Sequence, residues 1–268
     1  MKRLSNSTVD LQKIEVTLDD GAKSPGLICR AKFETIEKSS VRQYPDPRPA
    51  IVFFHGLSSR KESYESYLIP LAHLGYVAVA FDQRGHGDAG GNPLDWHLLY
   101  NDIESVINFV CSLEDVKEGA LCCVGKSMGA NSVLTKCYED QRVAMVVGIS
   151  ALHSIESMVN AKFRFFSAGW YVRRLMAGVD DESAIKLTPH YYLKNDPEYN
   201  KNRVYLIHGK QDSIFPPSLT FEKNKKQAAI PENQAVLLEN CGHSFEGQEL
   251  IILALLLRWI QNNSTMKF

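Results

Sequence analysis

Ser127 stands between two glycines in Leu121-Cys122-Cys123-Val124-Gly125-Lys126-Ser127-Met128-Gly129-Ala130, an apolar run that stops, presents a hydroxyl and restarts. A serine Oγ that projects above a sheet sits on a tight strand-to-helix turn, where a side chain two residues away on either side collides with a neighbouring strand or helix. Glycine at both places removes the collision, so the G-x-S-x-G pattern reads as a nucleophile elbow. A hydroxyl is a poor nucleophile at neutral pH. It needs an imidazole within hydrogen-bond reach, and that imidazole needs a carboxylate to fix its tautomer. Late in the chain, the apolar run Val204-Tyr205-Leu206-Ile207 is followed by His208-Gly209-Lys210-Gln211-Asp212, and Ala235-Val236-Leu237-Leu238 by Glu239-Asn240-Cys241-Gly242-His243. Ser127, Asp212 and His243 thus occur in the order nucleophile, acid, base, each just beyond a candidate strand.

Other residues compete for these roles. An aspartate in a turn is common, and a loop histidine often serves only the backbone. Asp82 also ends a candidate strand, but it precedes Ser127 and breaks the order. His55 and His208 end strands before glycines, which suits packing or loop orientation; His86 belongs to a turn, and His73, His97, His153 and His190 lack a matching strand context. An oxyanion formed at Ser127 needs two backbone N–H donors, one from the residue after the serine and one from the loop after the third strand. Those are Met128 and Leu57, the latter in His55-Gly56-Leu57-Ser58-Ser59-Arg60. No spaced set of histidines and carboxylates suggests a metal, and the scheme requires no cofactor.

These residues need a sheet to hold them. Lys13–Leu18 and Gly26–Phe33, joined through Asp19-Asp20-Gly21, read as an antiparallel hairpin. From Ala50-Ile51-Val52-Phe53-Phe54 onward, continuous apolar runs of the kind that mark strands covered on both faces alternate with helical patterns. Helix Lys61–Leu74, strand Tyr76–Phe81, a helical stripe Leu99, Ile103, Val106, Ile107, Val110, the elbow strand, helix Met128–Tyr138 and strand Val143–Ile149 follow in turn. After Val204–Ile207 come a helix near Pro217–Ala229, strand Ala235–Leu238 and a buried C-terminal helix across Leu250–Leu257 ending near Arg258-Trp259-Ile260. The expected architecture is α/β: a mostly parallel, doubly wound sheet with an N-terminal antiparallel hairpin.

Residues 152–200 occupy the place of a single connecting helix and carry many aromatics, so they read as an inserted helical cap over the carboxyl edge of the sheet. Most of Phe163, Phe165, Phe166, Trp170, Tyr171, Tyr191 and Tyr192 serve to glue the cap to the body, with Phe163, Phe166 and Trp170 assigned to the substrate. Lys162, Arg164, Arg173 and Arg174 read as a solvated helix face.

Taken together, HGLSS at His55, DQRGHG at Asp82–Gly87, GKSMG at Gly125, HGKQD ending at Asp212 and CGH ending at His243 make the chain resemble a serine hydrolase of the α/β-hydrolase superfamily across nearly all its length. Within that superfamily it is similar to carboxylesterases, feruloyl or cinnamoyl esterases and monoacylglycerol lipases. The resemblance implies a Ser-His-Asp ester hydrolase acting on a small-molecule ester, and a bracing role for the D-x-R-G-x-G turn; the aromatics of the expected cap favour an apolar or aromatic acyl group. A thioesterase or small peptidase would use the same three residues, and a catalytically silent binding protein on this fold is the reading from a different class. Lys126 departs from the His, Tyr, Gln or Glu of many relatives; because its position points away from the carbonyl, it is expected to modulate activity.

The totals bound the rest. At 268 residues, 44% hydrophobic and 23% charged, the chain suits one domain, 1–268, with a large core. A formal net charge of −1 gives no electrostatic case for nucleic acid. The N-terminal Met1-Lys2-Arg3-Leu4-Ser5 lacks the apolar stretch of a secretory signal, and Leu250–Leu257 is too short for a membrane span. The six cysteines show no C-x-x-C pair and read as small buried hydrophobes, in keeping with a reducing, cytoplasmic location.

Overall fold

The computed structural model describes residues 8–32, 46–93, 95–160 and 186–268. Eight strands form one sheet: β1 (Val9–Thr17), β2 (Lys23–Ala31), β3 (Arg48–Phe54), β4 (Val77–Phe81), β5 (Val116–Lys126), β6 (Val143–Ile149), β7 (Val204–Gly209) and β8 (Ala235–Leu238). Their order across the sheet is β1-β2-β4-β3-β5-β6-β7-β8. β1 and β2 pair antiparallel, β2 joins β4 antiparallel, and every later pairing is parallel. The hairpin therefore extends the edge of a parallel sheet whose carboxyl ends all face one way, the side on which such sheets build their sites.

Period-two alternation divides the strands between two cores. Ala50, Val52 and Phe54 of β3, with Val77, Val79 and Phe81 of β4, enter one face. Ile51 and Phe53, with Ala78 and Ala80, enter the other. The first face is covered by α2 (Trp96–Cys111), through Ile103, Val106, Ile107 and Val110, by α3 (Met128–Ser132), which runs on through the wider π turn Val133–Cys137, and by α4 (Phe221–Ala228). The second face is covered by α1 (Glu65–His73), through Leu68, Leu71 and Ala72, and by the C-terminal α5 (Glu249–Asn262). Parallel strands buried on both sides explain why the sequence shows unbroken apolar runs there.

Some details differ from the sequence reading. The stretch expected as one helix over Lys61–Leu74 opens as a tight 3-10 turn, Lys61–Tyr64, before α1 begins. The C-terminal helix is buried along one stripe only: Ile252, Leu256, Trp259 and Ile260 face the sheet, whereas Leu250 is 81% exposed and Ile251 47%. Of the region 152–200, the described parts are the short helix Ile155–Asn160, the turns Pro189–Tyr192 and Pro197–Asn200 and the residues around them. Phe163, Phe166 and Trp170 lie outside the described residues. All six cysteines are free thiols, five of them buried. Burial pushes the Cys29 thiol up to about 12, consistent with a packing role.

Candidate active site

The elbow is built by close backbone approach. A Cβ on Gly125 would lie 2.1 Å from the Gly129 carbonyl oxygen, and a Cβ on Gly129 would lie 2.1 Å from that of Phe54 in β3. Both positions therefore exclude any side chain, and the helix N-terminus is pressed onto the end of the sheet. Ser127 itself takes φ 54° and ψ −112°, a conformation that a non-glycine residue adopts only where its surroundings hold it. Its N–H donates to Ile149 O at 2.8 Å and its carbonyl accepts from Asn131 N at 3.2 Å, so β6 and α3 hold it from either side.

His243 meets Ser127 from the loop after β8. Its Nε2 is 2.9 Å from Ser127 Oγ, and its Nδ1 is 2.7 Å from Asp212 Oδ2. Asp212 is 3% exposed and accepts four hydrogen bonds. Ile214 N and Phe215 N donate to Oδ1 at 2.9 and 2.8 Å, while Ser150 Oγ at 2.8 Å and His243 Nδ1 share Oδ2. Burial alone would raise this carboxyl, but the His208 and His243 rings and the Phe215 N–H outweigh it and hold Asp212 well below the usual carboxylate range. An ionised carboxylate only accepts, so His243 Nδ1 carries the proton and neutral Nε2 is left to accept from Ser127 Oγ–H. The Phe215 ring meets the imidazole edge-on at 5.1 Å.

The acid and histidine loops are fixed to each other. A Cβ on Gly209 would lie 2.4 Å from Cys241 O, and Gln211 N donates to that carbonyl at 2.9 Å. His208, buried at the end of β7, donates from Nε2 to Phe215 O at 2.7 Å and lies 3.3 Å from Asp212 Oδ2. Ser150 and His208 are contributors that the sequence reading did not assign to the site. Ser150 follows β6 with no motif around it. The i,i+4 spacing of His208 and Asp212 across the H-G-x-x-D turn was the available signal for the other.

The loop after β3 borders the serine: a Cβ on Gly56 would touch Lys126 O at 3.3 Å and Ser127 Cβ at 3.4 Å. Leu57 follows, and Met128 opens α3, where its N–H has no intrahelical acceptor. The D-Q-R-G-H-G turn clamps this loop at both ends. On one side, Gln83 N donates to His55 Nε2 at 2.9 Å, the Gln83 side chain donates to His55 O, and His55 Nδ1 donates to Gly56 O at 2.7 Å. On the other, buried Lys61 donates from its backbone and from Nζ to Asp82, at 2.7 and 2.6 Å, and from Nζ to Asp88 at 2.8 Å. Burial opposes the Lys61 charge, yet the bonds to Asp82, Asp88 and Glu62 hold it above the ordinary lysine value. Arg84 is forked onto Asp102 at 2.8 and 2.6 Å and reaches Asp20 at 2.6 Å, which ties the turn to α2 and to the hairpin.

The competing histidines are engaged elsewhere. His86 Nδ1 contacts Arg84 O at 2.8 Å, His153 Nδ1 contacts Asn224 Oδ1 at 2.9 Å, and His190 Nδ1 contacts Gln227 Oε1 at 3.0 Å. Among the described residues no group of three or more His, Cys, Asp or Glu side chains could hold a metal ion. Among them, too, no helix is long and apolar enough to cross a membrane.

A mostly parallel sheet covered on both faces, with a glycine-flanked serine on the turn beyond a central strand, makes this an α/β-hydrolase fold. More particularly, the family model described as serine aminopeptidase, S33, matches residues 45–203, and the chain belongs to that family. Among curated proteins it is similar to the 2-(acetamidomethylene)succinate hydrolase of Mesorhizobium japonicum, 30% identical over 141 residues that make up 48% of each chain. The chain spans about half or less of the length of the curated relatives it matches. Among solved structures it is similar to an acetyl xylan esterase from Paenibacillus sp. R4, with TM-score 0.69, 19% identity and coverage of 98% of this chain and 87% of that one. It is also similar to the acylaminoacyl peptidase of Pyrococcus horikoshii, with TM-score 0.71, 15% identity and coverage of 98% of this chain and 43% of that one.

Proposed function

We propose that the protein hydrolyses carboxylic esters through an acyl-enzyme, with Ser127 as nucleophile, His243 as general base and acid, and Asp212 as the group that orients His243. The observation that carries this reading is the continuous chain from Ser127 Oγ to His243 Nε2 at 2.9 Å and from His243 Nδ1 to Asp212 Oδ2 at 2.7 Å. As Ser127 Oγ bonds to the ester carbonyl carbon, its proton passes to His243 Nε2. The resulting imidazolium is stabilised by the Asp212 carboxylate. The Leu57 and Met128 N–H groups hold the oxyanion, each worth about 3 kcal/mol in the transition state. Collapse breaks the bond to the alcohol, which leaves with the proton from Nε2. Water then adds to the acyl carbon with His243 as base, and the acid departs as Ser127 regains its proton.

The substrate is a small-molecule ester with an apolar or aromatic acyl group. Peptide hydrolysis is the second reading, favoured by the description of the family to which residues 45–203 belong. Hydrolysis of a p-nitrophenyl ester series from acetate to palmitate, run beside thioester and aminoacyl-anilide substrates, separates these readings. Faster turnover of esters supports the first, and an anilide preference replaces it with the second.

A further inference from the structure

Lys126, the residue between Gly125 and Ser127, ends β5, and its side chain crosses to the histidine loop. Its Nζ donates to the backbone carbonyl of Ser244, the residue after His243, and lies 5.8 Å from the centre of the Phe245 ring. That loop is not one the backbone favours unaided. Phe245 is 3% exposed and holds φ 59°, a left-handed conformation that a bulky residue resists, and Gly247 follows at φ 73°. Two carbonyls bracket His243 and are tied to other parts of the molecule: Cys241 O accepts from Gln211 N at 2.9 Å, and Ser244 O accepts from Lys126 Nζ.

We propose that Lys126 is a positioning residue: by holding the Ser244 carbonyl and the face of Phe245 it fixes the loop that carries His243, and so sets the approach of Nε2 to Ser127 Oγ. The strut joins the neighbour of one reacting group directly to the neighbour of the other. The inference deepens the ester-hydrolase reading and rests on it. Burial draws the Lys126 ammonium below the ordinary lysine value, against the opposing pull of Cys241, Glu246, Glu249 and Asp212. Its proton is therefore lost at a lower pH than that of an exposed lysine, and the charge-assisted bond to Ser244 weakens there.

The test compares Lys126→Met and Lys126→Arg with the wild-type protein on one p-nitrophenyl ester, together with the downfield proton resonance of the His243 Nδ1–H···Asp212 bond. Lys126→Met is expected to lower kcat about ten- to a hundred-fold with KM within a factor of two, and to broaden the resonance. Lys126→Arg restores most of kcat and shifts the alkaline fall in rate to higher pH, because arginine keeps its charge there. A Lys126→Met protein with unchanged kcat and an unchanged resonance overturns the proposal, as does a folded Lys126→Arg protein no better than Lys126→Met. If the wild type hydrolyses no ester, the functional reading fails. The resonance then still decides the positioning role on its own.

Discussion

Ser150 Oγ donates to the same oxygen of Asp212, Oδ2, that accepts the hydrogen bond from His243 Nδ1–H. The carboxylate is thus held on both oxygens, by the Ile214 and Phe215 N–H groups on one and by Ser150 on the other, before the imidazole is counted. With the carboxylate held in this way, the proposed mechanism has the imidazole keep one orientation through the cycle.

Ser150→Ala removes one charge-assisted bond from Asp212 and leaves the backbone donors in place. Such a bond contributes about 1.5 kcal/mol, so kcat/KM on an ester should fall roughly ten-fold. A double variant with Asp212→Asn should show no further loss from Ser150→Ala, since the two act through one group.

Gln83 reaches the loop after β3 from outside the reacting residues, through His55. Gln83→Leu frees the His55 carbonyl and loosens the loop that carries the Leu57 N–H. The expected result is a roughly ten-fold lower kcat with little change in KM, and weaker inhibition by a boronic acid that mimics the tetrahedral intermediate. Equal loss of ground-state and transition-state binding would argue against a role at the oxyanion.

Gly129 faces Phe54 O so closely that no side chain fits. Gly129→Ala should therefore lower the midpoint of thermal unfolding by an amount that corresponds to about 3 kcal/mol, with activity lost in the fraction that remains folded. Gly247→Ala, with nothing within 4 Å of the added carbon, isolates the cost of the backbone conformation alone.

His55 sets a pH window for stability. Burial lowers its pKa from 6.5 to about 4. Between those values the unfolded chain binds a proton that the folded protein refuses, so stability falls as the pH drops from 6.5 to about 4 and rises again on the way back. The contribution amounts to about 3 kcal/mol, read from urea unfolding at pH 7 and 4.5. His55→Asn keeps a donor for Gly56 O and should flatten this window. Asp212 acts lower: its stabilising share is present above the ordinary carboxylate range and is lost only below it, as the folded carboxyl takes up its proton.

The strands, and the way Ser127, Asp212 and His243 each follow one of them, were legible in the sequence because both are local patterns. Ala50–Phe54 and Val143–Ile149 read as strands from their unbroken apolar runs, a direct consequence of burial on both faces. Gly125 and Gly129 read as elbow glycines because steric exclusion leaves no other residue type. The C-terminal helix misled for the same reason that the strands did not. A run such as Leu250–Leu257 looks buried all round, yet only Ile252 and Leu256 of it are fully buried, Leu253, Leu255 and Leu257 pack partly against the core, and Leu250 and Ile251 are exposed. The support around Asp212 was not legible, since Ser150 and Asp212 lie 62 residues apart and become neighbours only when β6 and β7 pair.

The central claim is that Ser127 is the nucleophile. Labelling of the folded protein with a fluorophosphonate probe, together with turnover of a p-nitrophenyl ester, tests it most directly. The account predicts one labelled site on a peptide containing Ser127, with both labelling and turnover abolished in Ser127→Ala while the thermal midpoint holds. A folded wild-type protein that takes no label, or a Ser127→Ala protein that still turns over the ester, contradicts it.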